Sequence, residues 1–307
     1  MRALVTGGAG FVGTRLHTVL LDAGHEVLIV DDLRLGHAKP LPMDTLEVVV
    51  DSLGTKAAEQ AIRDFAPTVV FHLAALQYIP YTEANPEETR RVNVDGSAWL
   101  LKVCDELPLQ AFIACSSAAV YGFDDEPITE DAPIAPRNVY GESKVRMERM
   151  MRRFAATHSS VSVAAARLFN VYGQGNLNPN IMPMLMDQIW RDEPLRVGNT
   201  WPRRDYIHVY DVAEAMVRLS RWRPGFWVYN VGTGVGTSVG QLIGRLAWIA
   251  GKSGLHEPDP ERMRADDGHM VSDPSRLITS TGWRPKVELT DGLAWLARDA
   301  TATSLAG

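Results

Sequence analysis

Short apolar runs recur along the first half of the chain, and stretches with helical spacing of apolar residues separate them. The first of these stretches, residues 11–24, has apolar positions three and four apart and ends in Gly24. Strands that alternate with helices predict right-handed crossovers, and therefore a doubly wound parallel sheet with helices on both faces. The predicted class is α/β. The predicted strands cover residues 3–6, 26–31, 46–51, 68–74 and 111–117.

Composition narrows the class of protein without identifying it. The chain has 307 residues, of which 46% are hydrophobic and 22% charged, so it can form one large domain or two smaller ones. A formal charge of −6 gives no electrostatic reason to expect nucleic-acid binding. Cys104 and Cys115 are too few for a disulfide framework or a metal cluster, so no metal site is predicted.

The location expected from the sequence is the cytoplasm. Nowhere do roughly 18 apolar residues follow one another without a charge, so no membrane span is predicted. A strand-like segment begins at Arg2, which leaves no room for a signal peptide ahead of it.

A glycine-rich stretch, TGGAGFVG, follows the first predicted strand and opens the first predicted helix. Gly7, Gly10 and Gly13 would let the backbone approach a diphosphate, to which the helix N-terminus offers N–H groups. Asp31 ends the second predicted strand, where a carboxylate accepts hydrogen bonds from ribose hydroxyls and repels a 2′-phosphate. The pattern predicts a site for NAD rather than NADP. Arg34 could accommodate a 2′-phosphate and leaves NADP as an alternative; a glycine-rich turn beside an exposed aspartate is another.

The stretch NVYGESK places Tyr140 and Lys144 four residues apart at the start of a predicted helix. Residues at that spacing share one face of a helix, so the phenol and the ammonium can point at the same spot. On its own, such a pair is more often a chance feature of a surface. It becomes a candidate for catalysis only in the context of the other motifs.

These motifs resemble those of the extended short-chain dehydrogenase/reductases, and in particular the nucleotide-sugar epimerase/dehydratase group. The resemblance spans nearly the whole chain. It implies a Rossmann-type NAD-binding domain over residues 1–166, to which segments near 205–235 return, and a smaller α/β domain over 167–307 that binds the nucleotide-sugar. Besides the stretches already quoted, the matching motifs are HLAA (72–75), VNVDG (92–96), SSAAVYG (116–122), RLFNVYG (167–173), RRDYIHVYDVA (203–213) and YNVGTG (229–234).

The resemblance implies a catalytic role for Tyr140, Lys144 and Ser117. In the family the tyrosine transfers the proton, although a free phenol, with a pKa of about 10, is a poor base at neutral pH. We expect Lys144 and the positive nicotinamide ring to lower the pKa of Tyr140, because both stabilise the phenolate. Lys144 is also expected to bond the nicotinamide ribose, and Ser117 the reacting sugar oxygen. Tyr121 lacks a lysine partner and is expected to be structural.

The same resemblance implies the remaining site residues. Contacts with NAD are expected from Gly7, Gly10, Phe11, Val12, Gly13, Asp31, Asp32, Asp51, Ser52, Leu73, Ala74, Ala75, Gln77 and Asn93, together with Tyr140 and Lys144. Contacts with the nucleotide-sugar are expected from Ser117, Asn170, Asn180, Ile181, Arg204, Arg264 and Asp267. Arg204 would bind the diphosphate, which a guanidinium can hold with two hydrogen bonds. His72 and His208 are interpreted as core histidines rather than catalysts.

Ala118 and Ala119 follow Ser117 and distinguish between the reactions of the family. Nucleotide-sugar 4,6-dehydratases carry an Asp-Glu pair at these positions, and sugar-acid decarboxylases carry a Glu at the second. Neither alanine can transfer a proton, which favours a 4-epimerase that inverts C4 through a transient ketone. A 4-ketoreductase that consumes reduced cofactor is the main alternative, and a dehydratase is a lesser one. The intact tyrosine, lysine and serine set disfavours a non-catalytic NAD-binding scaffold.

A homodimer is expected from the resemblance alone. In the family, the helix that holds Tyr140 and the helix after Asn93 pair with their mates in a second subunit as a four-helix bundle. The alternative is that both helices pack inside one subunit. The base and the sugar stay open, although the aromatic loop with Gln77, Tyr78 and Tyr81, where the family lines its sugar pocket, favours a modified sugar.

Overall fold

The computed structural model describes residues 1–34, 47–178, 180–191, 193–221, 223–251, 256–263 and 268–304. The strands within these residues are β1 (Arg2–Thr6), β2 (Glu26–Asp31), β3 (Glu47–Val50), β4 (Val69–His72), β5 (Ala111–Ser117), β6 (Ser162–Leu168), β7 (Asn170–Tyr172), β8 (Leu195–Val197), β9 (Arg203–His208), β10 (Gly225–Val231), β11 (Gly236–Ser238) and β12 (His256–Pro258). The α-helices are α1 (Phe11–Asp22), α2 (Lys56–Phe65), α3 (Ile79–Ala84), α4 (Pro86–Thr89), α5 (Gly96–Cys104), α6 (Val139–Thr157), α7 (Ile181–Trp190), α8 (Val209–Leu219), α9 (Val239–Ile249), α10 (Ser275–Thr281) and α11 (Leu289–Ser304).

A parallel sheet of seven strands, in the order β10-β6-β5-β4-β1-β2-β3, organises the molecule. Ala3 of β1 lies opposite Val27 of β2 on one side and Val69 of β4 on the other. The central strands are buried on both faces, as their uninterrupted apolar sequences indicate. The predicted doubly wound α/β fold is confirmed. β4 ends at His72 rather than at residue 74, because the chain leaves the sheet there to form a loop.

Helices cover both faces of this sheet. On one face, α1 and α8 pack against each other and bury Leu16 and Met216 against the strands. On the other face, α2, α5 and α6 bury Ile62, Leu100 and Met151. Among the described residues, no helix is both long enough and apolar enough to span a membrane.

A separate hydrophobic cluster lies in the C-terminal part of the chain, where α7, β8, α9 and α11 contribute Leu185, Leu195, Leu242 and Leu293. Two small sheets, β11-β9-β7 and β12-β8, accompany it. β10 instead returns to the main sheet, where it pairs in parallel with β6. The predicted boundary after residue 166 falls inside β6, two residues before that strand ends.

Candidate active site

One elongated cleft runs along the carboxyl ends of the strands of the main sheet and has a volume of about 1510 Å³. β1 lies between β2 and β4, so the loops after β1 and β4 diverge to opposite faces and open a crevice between them. Residues from the glycine-rich loop line one end of the cleft, and Asn170, Asn180, Ile181 and Arg204 line the other. Most of the residues that the sequence assigns to cofactor and substrate therefore line one continuous cleft.

The glycine-rich loop is shaped by close contacts of its own backbone. Gly7 has a φ of +70°, and a Cβ atom there would lie 2.6 Å from the backbone nitrogen of Ala74. A Cβ atom on Gly13 would lie 2.7 Å from Cα of Gly8. The N-cap of α1 is Gly10, which has no side chain to accept hydrogen bonds from the first N–H groups of the helix. This N-terminus lies at the cleft and fits a diphosphate.

Asp31 stands at the end of β2 with its carboxylate fixed in place. One oxygen accepts a hydrogen bond from the N–H of Ala9 at 3.0 Å, and the other accepts from the N–H of Leu33 at 2.9 Å. Asp31 lines the cleft beside the glycine-rich loop, where the ribose of a dinucleotide would lie.

Arg34, which left NADP open as the cofactor, is paired with two carboxylates. Its Nε donates to Asp32 at 2.7 Å and its Nη1 donates to Glu88 at 2.8 Å. Glu88 also accepts a hydrogen bond from the Tyr81 hydroxyl at 2.6 Å. The two carboxylates offset the charge that would attract a 2′-phosphate, which supports the preference for NAD.

The adenine end of the cleft is completed by Asp51 and Ser52 after β3. The Asp51 carboxylate accepts from the N–H of Ser52 at 2.7 Å and from the Thr55 hydroxyl at 2.6 Å. The Ser52 hydroxyl donates to Asp32 at 3.2 Å, so the ends of β2 and β3 are joined at this point. The remaining predicted cofactor residues that line the cleft are Gly7, Gly10, Phe11, Val12, Gly13, Asp32, Leu73, Ala74, Ala75 and Gln77.

The side chain of Asn93 is buried beside the cleft, and its predicted contact with NAD stays a prediction. Its amide accepts from the N–H of Leu76 at 2.8 Å and donates to the carbonyl of Leu76 at 2.9 Å. The same amide donates to the Ser143 hydroxyl at 3.0 Å. Asn93 therefore joins the loop after β4 to α6 and holds these two walls of the site together.

Ser117, Tyr140 and Lys144 come together where β5 ends beside the first turns of α6. Asn138 caps α6 by accepting from the N–H of Gly141 at 2.7 Å, which places Tyr140 in the first turn. The Tyr140 hydroxyl shares a hydrogen bond with Ser117. The Lys144 ammonium lies 5.7 Å from the centre of the Tyr140 ring and donates to the backbone carbonyl of Cys115 at 2.8 Å. Ser117 also caps the turn that follows it, so its structural role and its contact with Tyr140 coexist.

Burial dominates the electrostatics of this trio in the chain by itself. Burial raises the pKa of the Tyr140 phenol, and the hydrogen bond with Ser117 lowers that pKa only in part. Burial also lowers the pKa of Lys144 to about 8, against the opposing charge of Glu148. The groups of the chain by themselves thus raise the pKa of Tyr140 rather than lower it. A lowered pKa of Tyr140 therefore stays an expectation for the NAD-bound site, where the positive nicotinamide ring adds to the charge of Lys144.

At the opposite end of the cleft, the Arg204 side chain is held by the backbone. Its Nη1 donates to the carbonyls of Arg203, at 3.0 Å, and of Gly268. The guanidinium carbon lies 5.2 Å from the centre of the Phe123 ring. Asn170 begins β7 and Asn180 caps α7, followed by Ile181. The predicted contacts Arg264 and Asp267 lie outside the described residues.

A sequence model of the NAD dependent epimerase/dehydratase family matches residues 3–232. The chain belongs to this family. The UDP-glucose 4-epimerase of Azospirillum brasilense is 32% identical over an alignment that covers 95% of this chain and 89% of that protein. The UDP-glucose 4-epimerase of Thermotoga maritima, solved with UDP-glucose, is 28% identical, with a TM-score of 0.93 and coverage of 99% and 100%. MoeE5, solved with UDP-glucose and NAD, is 30% identical, with a TM-score of 0.87 and coverage of 99% of each chain.

Membership of an NAD-dependent family agrees with the shape of the site. The closely packed glycine loop and the fixed Asp31 carboxylate fit the diphosphate and ribose of NAD. In the described part of the chain, no group of three or more histidine, cysteine or acidic side chains could hold a metal ion.

The two histidines interpreted as core residues are buried and lie outside the lining of the cleft. His72 lies between the hydroxyls of Thr6 and Ser97, each at 2.8 Å, and burial lowers its pKa to about 3. His208 caps α8, and burial lowers its pKa to about 4. Tyr121 lines the cleft, but its hydroxyl bonds to the interior, where it donates to Asn230 at 2.8 Å.

The end of the cleft that contains Arg204 is called the sugar end here, because the sequence assigns the nucleotide-sugar to it. Several residues at this end were not found from the sequence. Phe123 lies under two guanidinium groups, at 4.5 Å from Arg137 and 5.2 Å from Arg204. Arg137 directly precedes the cap of α6, but no local pattern marks it as a site residue. Other residues missed in the lining are Asn176, Leu177, Asn178, Tyr206 and Met270.

Proposed function

We propose that this protein is an NAD-dependent nucleotide-sugar 4-epimerase. The observation that carries the proposal is the Ser117, Tyr140 and Lys144 trio, which faces Ala118 and Ala119 in the same cleft. The trio can move a proton at the 4-hydroxyl of a sugar. The alanines supply no second acid or base, so proton transfer at C5 and C6 has no obvious agent.

Tyr140 acts as the base that removes the proton from the 4-hydroxyl and returns it at the end of the cycle. Ser117 binds the same sugar oxygen and orients it toward the Tyr140 oxygen. Lys144 stabilises the phenolate and bonds the nicotinamide ribose. The glycine-rich loop and Asp31 would hold NAD, which would supply reversible hydride acceptance at C4, so that no cofactor would be consumed over a cycle.

The substrate is held by its nucleotide while its sugar turns over. Arg204 and Asn170 bind the diphosphate, and Asn180 and Ile181 contact the nucleotide nearby. Arg264 and Asp267 are proposed to complete the site. The diphosphate anchor lets the 4-keto sugar present either face to the hydride without leaving the cleft. We propose a UDP-sugar as the substrate, because the similar solved structures were obtained with UDP-sugars.

The proposed division of the chain into two parts follows from the resemblance and from the sheet to which each strand belongs. Residues 1–166, with β10 and α8 added, form the NAD-binding part, and the rest of 167–307 forms the nucleotide-sugar-binding part. Two copies of the chain pair through α5 and α6. This proposal is supported by Trp99 and Met150, two apolar side chains on these helices that are only half-buried.

A cytoplasmic location is supported by the two buried free thiols, which suit a reducing compartment.

Incubation of the purified protein with a panel of nucleotide-sugars, without added cofactor, tests the proposal. The panel contains UDP-glucose, UDP-N-acetylglucosamine, UDP-glucuronic acid and their dTDP and GDP counterparts. We expect chromatography to resolve the C4 epimer of at least one UDP-sugar, and the Tyr140→Phe protein to form it far more slowly. Turnover only of a 4-keto sugar, with stoichiometric oxidation of added NADH, would identify a ketoreductase instead.

A further inference from the structure

Asp205 of β9 carries a carboxylate that two separate segments of the chain hold. From the loop between β10 and β11, the Thr233 N–H donates to it at 2.9 Å, the Thr233 hydroxyl at 2.6 Å and the Gly234 N–H at 2.9 Å. From residues 268–272, named the flanking segment, the N–H and the hydroxyl of Ser272 donate to it. Asp205 and Ser272 are both 0% exposed. The carboxylate therefore joins the loop to the flanking segment inside the protein.

The loop between β10 and β11 is shaped to hold this carboxylate. A Cβ atom on Gly232 would lie 2.3 Å from the Ser272 hydroxyl oxygen and 2.5 Å from a carboxylate oxygen of Asp205. Gly234, whose N–H donates to Asp205, has a φ of +79°, a conformation that favours glycine. Both glycines belong to the motif YNVGTG (229–234), which matches the family but has no role in the site described so far. Holding Asp205 is a role that the contacts of this motif support.

The flanking segment runs beside β9 and forms part of the sugar end of the cleft. The Asp205 N–H donates to the Met270 carbonyl at 3.1 Å, and the Met270 N–H donates to the Arg203 carbonyl at 2.9 Å. Two residues earlier, the Gly268 carbonyl accepts from Nη1 of Arg204. Arg204 and Met270 both line the cleft. The position of the Arg204 guanidinium therefore depends on where the flanking segment lies.

We propose that Asp205 is a positioning residue for the nucleotide-sugar. Through Ser272 it holds the flanking segment against β9, and the Gly268 carbonyl of that segment keeps the Arg204 guanidinium in the orientation that binds the diphosphate. The inference rests on the proposed function, because that function assigns the diphosphate to Arg204. Asp205 is itself fully buried and acts through Ser272 and Arg204.

A matched pair of variants tests this role. Ser272→Ala and Thr233→Ala each remove one hydroxyl that donates to Asp205, but only Ser272 belongs to the flanking segment. Calorimetric titration with a UDP-sugar that the wild-type protein epimerises measures Kd. We expect Ser272→Ala to raise Kd roughly three- to tenfold, the scale of one lost hydrogen bond, and to change kcat and NAD affinity little. Thr233→Ala should lower Tm at least as much and leave Kd near the wild-type value.

A double-mutant cycle distinguishes positioning from a general loss of structure. If Ser272 acts through Arg204, the rise in Kd caused by Ser272→Ala should disappear in the Arg204→Ala background. A general loss of structure would weaken binding by the same factor in both backgrounds. Ser272→Cys keeps a weak donor in a side chain of similar shape and should recover part of the affinity. It also replaces Ser272→Ala in the cycle if the alanine variant does not fold.

Outcomes for the inference and for the proposed function are separable. A wild-type Kd in Ser272→Ala, an equal rise in Thr233→Ala, or an undiminished rise in the Arg204→Ala background would overturn the inference and leave the epimerase intact. Failure of the wild-type protein to epimerise any nucleotide-sugar would overturn the proposed function itself, before any variant is compared.

Discussion

The two ends of the cleft are built in different ways. At the NAD end, the backbone does most of the shaping: Gly7 packs on the loop after β4, and Asp31 is fixed by two N–H groups. At the sugar end, side chains from distant segments meet, as when Phe123 lies beneath Arg137 and Arg204. Backbone contacts within short loops leave little freedom for substitution. Side-chain contacts between distant loops can change one at a time, so the sugar end can vary while the NAD end is kept.

The largest effect is expected where the two ends meet, at Tyr140. Tyr140→Phe removes the only group in the trio that is proposed to take the proton, so kcat should fall by roughly 10² or more. Nucleotide-sugar and NAD affinities should change little. Tyr121→Phe is the matched control, because it removes a hydroxyl that bonds Asn230 and Arg167. It should lower Tm, and it should reduce kcat far less than Tyr140→Phe does. Wild-type turnover by Tyr140→Phe would remove the tyrosine from the mechanism.

The sugar end is tested through Arg204. Arg204→Ala should weaken nucleotide-sugar binding by about 1.5–3 kcal/mol, the range for hydrogen bonds to a charged group, as measured by calorimetric titration. NAD affinity should be spared. Arg203→Ala changes the adjacent, exposed arginine and should have a much smaller effect. An equal loss of NAD affinity in Arg204→Ala, or an equal loss of substrate affinity in Arg203→Ala, would place the diphosphate elsewhere.

The NAD end is tested by adding a single methyl group. Gly13→Ala forces a Cβ atom against the Gly7 carbonyl and to 2.7 Å from Cα of Gly8, so the free energy of unfolding should fall by about 1–3 kcal/mol and NAD affinity with it. Gly244→Ala, at an exposed position in the middle of α9, meets no atom outside its own helix within 4 Å and should raise the free energy of unfolding by roughly 0.5–1 kcal/mol. Similar values for the two substitutions in chemical denaturation would argue against a backbone-shaped NAD site.

The smallest effect concerns the choice of cofactor at that same end. With Asp31 at the ribose and Arg34 paired with two carboxylates, NAD should bind at least about tenfold more tightly than NADP, a difference of about 1.4 kcal/mol. Asp31→Asn should reduce that ratio, because it removes the charge that repels a 2′-phosphate. Titration of cofactor-free protein with both nucleotides measures the ratio. Equal affinities in the wild type would contradict the assignment of Asp31.

The contrast between the two ends of the cleft also explains which site residues could be predicted from the sequence. The glycine loop, Asp31 and Tyr140 belong to short stretches whose spacing relates directly to a strand end or a helix turn. All of them line the cleft. The pairing of Arg34 with Glu88, 54 positions later, depends on how α4 lies against β2, and nothing near Arg34 indicates it.

Asn93 and Glu148 show two other limits. Asn93 stands in a family motif beside the cofactor loop, but its amide is fully used by Leu76 and Ser143 inside the protein. Glu148 follows Lys144 by four residues, so its helix face could have been read from the sequence. Its hydrogen-bond partners could not, because Ser116 and Arg167 come from two other strands. The position of a residue on a helix or strand can be predicted from the neighbouring sequence. The hydrogen-bond partners of its polar atoms depend on segments that are distant along the chain.

The central claim is that hydride leaves C4 of a nucleotide-sugar and returns to the same carbon inside one cleft. A substrate deuterated at C4, incubated with the protein in ordinary water and without added cofactor, tests it most directly. The account predicts that the C4 epimer keeps its deuterium at C4, and that the reverse experiment in deuterium oxide leaves the carbon skeleton unlabelled. Deuterium found at C6, or solvent deuterium at C5, would contradict the account, since Ala118 and Ala119 supply no group for that chemistry.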